Sequence, residues 1–283
     1  MSVRAGFVGV IGLPNAGKST MVNHLIGEKV SIVTPRPQTT RQRVLGILSD
    51  TDGQVVFVDA PGLTERPGPI NEFLRREFSS VVSESDGLLI VIDMKNDPKE
   101  DIDKIITQVN LSQKPYFIVL NKMDLVDEAQ MVFWTDFLKP HGRKITVLSA
   151  LDETGNLKQL LWKDLLDLVP ECEKPLYDNE LYTTQNVREM VNEIIREKCF
   201  ESLRQEIPYG LAIRPLTFDE DTSESLTKIF AEVLVAKENH KPMVIGTKGT
   251  MLKEIGQKSR EENSRQCICL RPVNGIQFTG QNA

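Results

Sequence analysis

The chain has 283 residues, of which 40% are hydrophobic and 26% are charged, a composition typical of a globular protein large enough for two domains. Its 34 Lys and Arg residues against 40 Asp and Glu residues give a net charge of −6, which excludes a protein that coats nucleic acid through bulk positive charge. No run approaches the roughly 18 consecutive apolar residues of a membrane span, and no signal-peptide pattern opens the chain, so we expect a cytoplasmic location.

Short apolar runs alternate with stretches of helical length in the first half of the chain. The runs span residues 6–12, 55–58, 87–92, 116–120 and 145–148. Because their hydrophobicity is continuous, we expect strands buried on both faces of a mostly parallel, doubly wound α/β sheet. Polar clusters follow four of these runs, and ligands of such sheets bind at the carboxyl edge of the strands. The sequence therefore predicts one ligand site at that edge.

The first polar cluster fits a phosphate-binding loop. Its sequence GLPNAGKS matches GxxxxGK[ST] and lies between a predicted strand and a predicted helix. Backbone amides of such a loop face phosphate oxygens, together with the positive end of the following helix. We expect Lys18 to bridge the β- and γ-phosphates, with a catalytic role, and the Ser19 hydroxyl to ligate Mg²⁺. The residues predicted to contact nucleotide here are Asn15, Ala16, Gly17, Lys18, Ser19 and Thr20.

A second cluster, DAPG, closes the next run of the predicted sheet. Asp59 is placed to reach the magnesium ion through a water molecule, as an acidic residue at the end of a neighbouring strand does in P-loop enzymes. Gly62 can present its amide to a γ-phosphate, which gives it a predicted catalytic role. Taken alone, DAPG is also a common turn sequence, so the phosphate loop is what favours the magnesium interpretation.

The segment NKMD predicts which base is bound. A carboxylate at Asp124 accepts from the two donors on the N1 and N2 edge of guanine, whereas adenine presents a lone pair there. Asn121 is expected to brace the loops and Lys122 to cover the ring. Ser149 and Ala150 complete the predicted pocket, with the Ala150 amide meeting the guanine oxygen. The alternative is a plain helix cap, which Asn and Asp also favour.

These motifs resemble those of the Era family of ribosome-assembly GTPases. The segment SIVTPRPQTTR at residues 31–41 is similar to the first switch of that family, and the resemblance extends from residue 6 to about residue 262. It implies GTP hydrolysis, and it implies that a Thr of the Thr39–Thr40 pair closes on Mg²⁺. We favour Thr40, which directly precedes Arg41, as the catalytic and metal-binding residue.

Two positions bear on the rate of hydrolysis. Leu63 follows the DAPG cluster where Ras-like enzymes place a water-orienting Gln, so we expect slow intrinsic turnover. Asn15 has two interpretations that the sequence leaves open. By resemblance to related GTPases it helps to hold a K⁺ ion that acts in place of an arginine finger, or it simply tolerates a turn conformation.

Beyond a Pro-containing break at residues 170–178 the pattern changes to a helix, strand, strand, helix order, which predicts a smaller α+β domain. Its predicted elements are a helix at 184–206, a strand at 210–215, a turn at 219–221, a strand at 226–236 and a helix at 250–262. The predicted domains are a GTP-binding domain at 1–172, a linker at 173–182 and a KH-like RNA-binding domain at 183–283.

The sequence GTKG at the start of the last predicted helix matches the GxxG loop with which KH domains clamp single-stranded nucleic acid. The predicted RNA-binding residues are Gly246, Thr247, Lys248, Gly249 and Lys253. From Lys241 onward, seven basic residues stand against three acidic ones, although the whole chain is acidic. The family resemblance implies a KH domain that holds the 3′ end of small-subunit ribosomal RNA under control of the nucleotide state.

The implied partners are therefore GTP or GDP, small-subunit ribosomal RNA and the 30S subunit, for a protein that we expect to be monomeric. The alternative is a protein or membrane-surface interaction module, with peripheral association at the inner face of the cell membrane. After Glu262 the chain departs from the family pattern of an apolar strand and a basic, aromatic end. The last strand of the second domain is thus either lost or rebuilt from residues 268–270.

Overall fold

The chain folds into two compact units, Met1–Gln185 and Asn186–Ala283. The first carries a seven-stranded sheet and the second a three-stranded sheet. The structure is a computed structural model, and it describes residues 2–34, 44–59, 69–152, 156–204, 206–221, 226–262 and 266–273. Within these ranges, no helix combines the length and the apolar character that crossing a bilayer requires.

The first unit is a sheet with helices on both faces. Its strands are β1 (Val3–Ile11), β2 (Val44–Asp50), β3 (Gly53–Asp59), β4 (Gly87–Asp93), β5 (Tyr116–Asn121), β6 (Ile145–Val147) and β7 (Glu171–Cys172). Its helices are α1 (Lys18–Ile26), α2 (Pro69–Glu84), α3 (Lys99–Ser112), α4 (Glu128–Leu138) and α5 (Leu157–Leu166). The strand order is β2-β3-β1-β4-β5-β6, in which only β2 among these six is antiparallel to its neighbour. The predicted mostly parallel sheet is confirmed.

Burial on both sides of the sheet explains the continuous apolar runs. Every residue of β3, β4 and β5 is buried. One apolar cluster joins the sheet to α1 and α5, and a second joins its other face to α2, α3 and α4. Since polar side chains on either face would be taken out of water, only strand ends can carry them.

Two parts of the first unit contain antiparallel pairing. The hairpin β2–β3 turns through two residues, so no helix separates these strands. Residues 173–182, where we expect a linker, follow β7, which pairs antiparallel with β1. Gln54 exchanges two hydrogen bonds with the Tyr177 backbone at 2.8 and 3.0 Å, and the Ile47 amide donates to the Tyr182 carbonyl at 2.8 Å. These contacts attach the segment to the first unit.

The second unit packs helices against one face of a small sheet. Its elements are α6 (Val187–Ser202), β8 (Leu211–Asp221), β9 (Leu226–Val235), α7 (Lys241–Ile245), α8 (Thr250–Glu262) and β10 (Gln266–Val273). The central strand β9 is antiparallel to β8 and parallel to β10. Its core is built by apolar residues of α6, β9 and α8 around Ile195, Ile229 and Ile255, each with no solvent exposure.

Strand pairing decides two expectations for the second unit, the turn at residues 219–221 and the fate of the last strand. The turn predicted at residues 219–221 is wrong, because β8 continues to Asp221 and its Asp219 pairs in register with Lys228 of β9. A long antiparallel partner strand outweighs the low strand preference of three consecutive acids. Of the two alternatives for the tail, the structure has the rebuilt strand, since β10 includes residues 268–270 and pairs along β9.

Candidate functional site

A cavity of about 470 Å³ opens at the carboxyl edge of the first unit's sheet. It is where the phosphate loop, the NKMD segment and the loop after β6 come together. Its lining includes ten of the predicted nucleotide residues, namely Asn15, Gly17, Lys18, Ser19, Thr20, Asn121, Lys122, Asp124, Ser149 and Ala150. The sequence did not predict the contribution of Ile32, Val33, Thr34, Asn96, Leu125 and Leu151.

The phosphate loop has the backbone that its glycines allow. Asn15 and Gly17 have φ angles of 65° and 96°, and a Cβ atom on Gly17 would collide with the Asn121 side-chain amide. The helix α1 then begins at Lys18, after the N-cap Gly17, which has no side chain to cap the first amides. The amides at a helix N-terminus together with the helix dipole form a site for anions.

Lys18 is a buried cation at the floor of this loop. Its Nζ donates to the Leu13 carbonyl at 2.8 Å and to the Gly12 carbonyl at 3.3 Å. Burial lowers the pKa of Lys18 below its ordinary value, while the carboxylates of Asp59 and Asp97 oppose that shift. A phosphate anion beside the ammonium group would compensate for the lost hydration.

Ser19 and Asp59 form the pair expected at a magnesium site. The Ser19 hydroxyl lies 2.6 Å from Asp59 Oδ2. Asp59 has no solvent exposure, and its Oδ1 atom has no hydrogen-bond partner within the described residues. Burial raises the pKa of Asp59, against the hydrogen bond from Ser19 and the charge of Lys18. A hard divalent cation satisfies such an oxygen set, so these residues fit Mg²⁺.

Asn121 connects three loops of the site. Its Nδ2 donates to the Ala16 carbonyl at 2.8 Å, and its Oδ1 accepts from the Ala150 amide at 2.8 Å. The Ala150 amide, which we expect to meet the guanine oxygen, donates to Asn121 Oδ1 in this structure, a contact that the sequence did not indicate. Asp124 lines the cavity, one turn beyond Asn121.

Lys122 makes two contacts that the sequence did not indicate. Its Nζ lies 2.7 Å from the Asn15 carbonyl and 2.6 Å from Asp93 Oδ2. Asp93 ends β4 just as Asp59 ends β3, so its position after a buried strand was the available signal. Four other predicted or discussed residues, Thr39, Thr40, Gly62 and Leu63, lie outside the described residues.

The GxxG turn of the second unit joins α7 to α8. Gly246, Lys248 and Gly249 have φ angles of 75°, 53° and 80°, and the Gly249 amide donates to the Gly246 carbonyl at 3.2 Å. Thr247, Lys248 and Lys253 are exposed. The turn therefore offers backbone amides and two lysines to an anionic chain.

Comparison with known proteins agrees with both units. Residues 7–122 match the family described as 50S ribosome-binding GTPase, and residues 206–266 match the KH domain family. GTPase Era of Syntrophus aciditrophicus (strain SB) is 38% identical over 259 residues, which cover 91% of this chain and 84% of that protein. GTPase Era of Deinococcus radiodurans is 36% identical over 268 residues, with 92% and 85% covered.

Two solved structures are similar along nearly the whole chain. A variant of Era from Aquifex aeolicus bound to GDP and AlF4⁻ superposes with a TM-score of 0.85 at 30% identity, covering 96% of this chain and 94% of that one. Era in complex with MgGDPNP and nucleotides 1506–1542 of 16S ribosomal RNA gives a TM-score of 0.84 at 31% identity, with the same coverage.

Proposed function

The chain belongs to the Era family of GTPases, and we infer that it binds and hydrolyses GTP with Mg²⁺. We infer further that the bound nucleotide controls its affinity for 16S ribosomal RNA during assembly of the 30S subunit. One observation carries this proposal. The phosphate loop and the Asp124 carboxylate line a single cavity, where Ser19 bonds to the buried Asp59, in a chain whose second unit presents an exposed GxxG turn.

One end of the cavity binds the phosphates of the nucleotide. Lys18 and the first amides of α1 bind the β- and γ-phosphates, and the Asn15 to Thr20 backbone follows the phosphate chain. The Ser19 hydroxyl and the Asp59 carboxylate would hold Mg²⁺, since they offer the oxygen ligands that this ion prefers. When bound, the ion neutralises charge on the phosphate oxygens. We assign Thr40 as a further ligand and the Gly62 amide to the γ-phosphate, on the sequence alone.

Asp124 determines the base. Its carboxylate accepts from N1 and N2 of guanine, whereas adenine presents a lone pair to the same oxygens and is rejected. Asn121 holds the loop of Ala150 against the phosphate loop, and Lys122 lies over the ring. Ser149 closes the pocket from the loop after β6.

Hydrolysis depends on charge stabilisation. With Leu63 in the position after DAPG, no side chain orients the attacking water there, and Lys18 with the loop amides stabilises the developing charge. We also propose that K⁺ binds through Asn15 and supplies the charge that an arginine finger brings in other GTPases. The left-handed backbone at Asn15, with φ of 65°, equally suits the simpler role of a turn residue.

The second unit binds RNA through its GxxG turn. Gly246 and Gly249 let the backbone approach a phosphate chain, Thr247 and Lys248 lie at the exposed tip of the turn, and Lys253 extends the positive charge one turn along α8. We further propose a cytoplasmic monomer that works on the ribosome. Peripheral membrane association belongs to the competing hypothesis, in which the second unit binds proteins or membranes and not RNA.

A phosphate-release assay with different nucleoside triphosphates tests the enzymatic part of the proposal. Wild-type protein should hydrolyse GTP and not ATP, and Asp124→Asn should shift the preference toward xanthosine triphosphate, because the amide pairs with the oxygen that replaces the guanine amino group. Lys18→Ala should abolish turnover of either nucleotide. Replacing Na⁺ by K⁺ should raise the wild-type rate if Asn15 holds the ion, and Asn15→Ala should remove that increase. Equal use of ATP and GTP by the wild type would refute the assignment.

A further inference from the structure

A tight turn closes β4 directly beside the nucleotide cavity. The Asp93 amide donates to Asp97 Oδ2 at 2.7 Å, and the Asp97 amide donates to the Asp93 carbonyl at 3.0 Å. Asp93 Oδ1 in turn accepts from the amides of Lys95 and Asn96 at 2.9 and 3.2 Å. These hydrogen bonds with the backbone of the turn determine the orientation of the Asp93 carboxylate.

The second oxygen of that carboxylate points toward the site. Asp93 Oδ2 accepts from Asn96 Nδ2 at 2.9 Å and from Lys122 Nζ at 2.6 Å. Only 3% of the Asp93 side chain is exposed, against 24% of Lys122. Burial alone would raise the pKa of Asp93, but the hydrogen bonds from Lys122, Asn96 and Lys95 outweigh it and lower that pKa. The carboxylate is therefore charged at neutral pH.

Lys122 connects the Asp93 carboxylate to the phosphate loop. Its ammonium group, which Asp93 holds, also donates to the Asn15 carbonyl at 2.7 Å, while the neighbouring Asn121 donates to the Ala16 carbonyl at 2.8 Å. Two consecutive carbonyls of the phosphate loop thus accept hydrogen bonds from two consecutive side chains at the end of β5. Lys122 itself has a left-handed backbone with φ of 65°, a conformation that costs a non-glycine residue energy and that its contacts maintain.

We propose that Asp93 is a positioning residue of the nucleotide site: through its ion pair it holds Lys122 against the phosphate loop, and it thereby shapes the cavity for the phosphates and the purine ring before nucleotide arrives. This role rests on the proposed guanine-nucleotide site. Asp93 does not line the cavity, whereas Asn96, which the same carboxylate holds, does.

The proposal predicts how binding changes when the ion pair is lost. Asp93 does not line the cavity, so we expect it to contact neither the base edge nor the γ-phosphate. The affinities for GTP and for GDP should therefore fall by the same factor. For hydrolysis the loss should fall on KM and leave kcat unchanged, since uniform binding is what is removed. The preference for guanine over xanthine should stay as it is.

A double-mutant cycle on the full chain, titrated with fluorescently labelled GDP and Mg²⁺, tests the proposal. Asp93→Asn keeps an oxygen for the turn amides but removes the charge, and Lys122→Met keeps the stem but removes the ammonium group. We expect each to raise the Kd about tenfold, and the double variant to match Lys122→Met within about twofold, because the two side chains act as one unit. Asp103→Asn, an exposed acid on α3, is the charge-matched control and should bind as wild type does.

The possible outcomes distinguish the positioning role of Asp93 from the guanine-nucleotide site on which it rests. If wild type binds GDP and the single effects multiply to about a hundredfold in the double variant, Asp93 acts on the fold and not through Lys122, and the proposal is overturned while the GTPase assignment stands. If the Asp93→Asn protein lacks the circular dichroism of the wild type, Asp93→Ser takes its place in the cycle, since a serine hydroxyl also accepts from the turn. If wild type binds no GDP, both claims fall together.

Discussion

At the scale of single residues, the charge of Asp97 makes stability depend on pH. Burial, followed by the nearby Asp93 carboxylate, raises the pKa of Asp97 from 3.8 to about 7, although the Asp93 amide donates to it. Between about pH 4 and pH 7 the folded protein keeps a proton that the unfolded chain has released. The stabilisation from Asp97 is therefore complete below the unfolded pKa and is lost as pH rises toward 7.

Asp97→Asn should remove this dependence, because the amide oxygen still accepts from the Asp93 amide and carries no charge. Relative to wild type, we expect the variant to gain on the order of 2–3 kcal/mol of unfolding free energy on going from pH 5 to pH 8. Urea unfolding of the first unit, followed by tryptophan fluorescence, measures it. Asp103→Asn provides the comparison, and an identical pH profile for wild type and Asp97→Asn would show that Asp97 is not buried against Asp93 in this way.

Residue-level predictions came from chemistry that is encoded in contiguous motifs. Lys18, Ser19 and Asp124 stand in short patterns with fixed spacing, and the structure places all three on one cavity. Asp93 was not found, because a single acid after a strand looks the same whether it ends a turn or holds a lysine 29 residues away. The hydrogen bond between the Ala150 amide and Asn121 was not predicted either, since a sequence cannot show which acceptor a loop amide reaches.

At the scale of elements, Lys198 connects the two long helices of the second unit. Its Nζ lies 2.6 Å from Glu262 of α8, 3.2 Å from Glu201 and 3.5 Å from Glu197. Burial would lower the pKa of Lys198, but these carboxylates together hold it above its ordinary value. One cation thus neutralises acids from both helices at the end of α8.

Lys198→Met should weaken this packing by about 2 kcal/mol, because it removes a cation that three partly buried carboxylates share. Hydrogen exchange of the α6 and α8 amides in the full chain is the suitable measurement, since Trp134 and Trp162 both lie in the first unit and do not report on the second. Lys237→Met, at an exposed position, should leave exchange unchanged. Wild-type protection of α6 and α8 in Lys198→Met would contradict the expectation.

Elements were predictable in proportion to their length and burial. The strands β3, β4 and β5 are continuous apolar runs and were found, as were α6 and α8. The two-residue β7 and the five-residue α7 are too short to carry a period. The acids of residues 219–221 were assigned to a turn because local composition does not reveal that β9 offers them a paired strand.

At the scale of the whole molecule, the change of pattern near residue 170 predicted two kinds of fold in one chain. The first unit owes its site to the common edge of parallel strands, a consequence of topology that sequence order alone indicates. The second unit owes its RNA-binding assignment to a four-residue turn and a local excess of basic residues. A four-residue motif is weak, and the similarity to the KH family over residues 206–266 is what strengthens it.

Coupling between nucleotide and RNA is the central claim, and the affinity for RNA in two nucleotide states measures it most directly. The full chain would be titrated with single-stranded RNA of the sequence of nucleotides 1506–1542 of 16S ribosomal RNA, in the presence of Mg²⁺ and either GDPNP or GDP. We predict that binding is at least about tenfold tighter with GDPNP, and that Lys248→Ala weakens it while Lys237→Ala does not. Equal affinity in both states, or no binding in either, would contradict the account and favour an interaction module that does not use RNA.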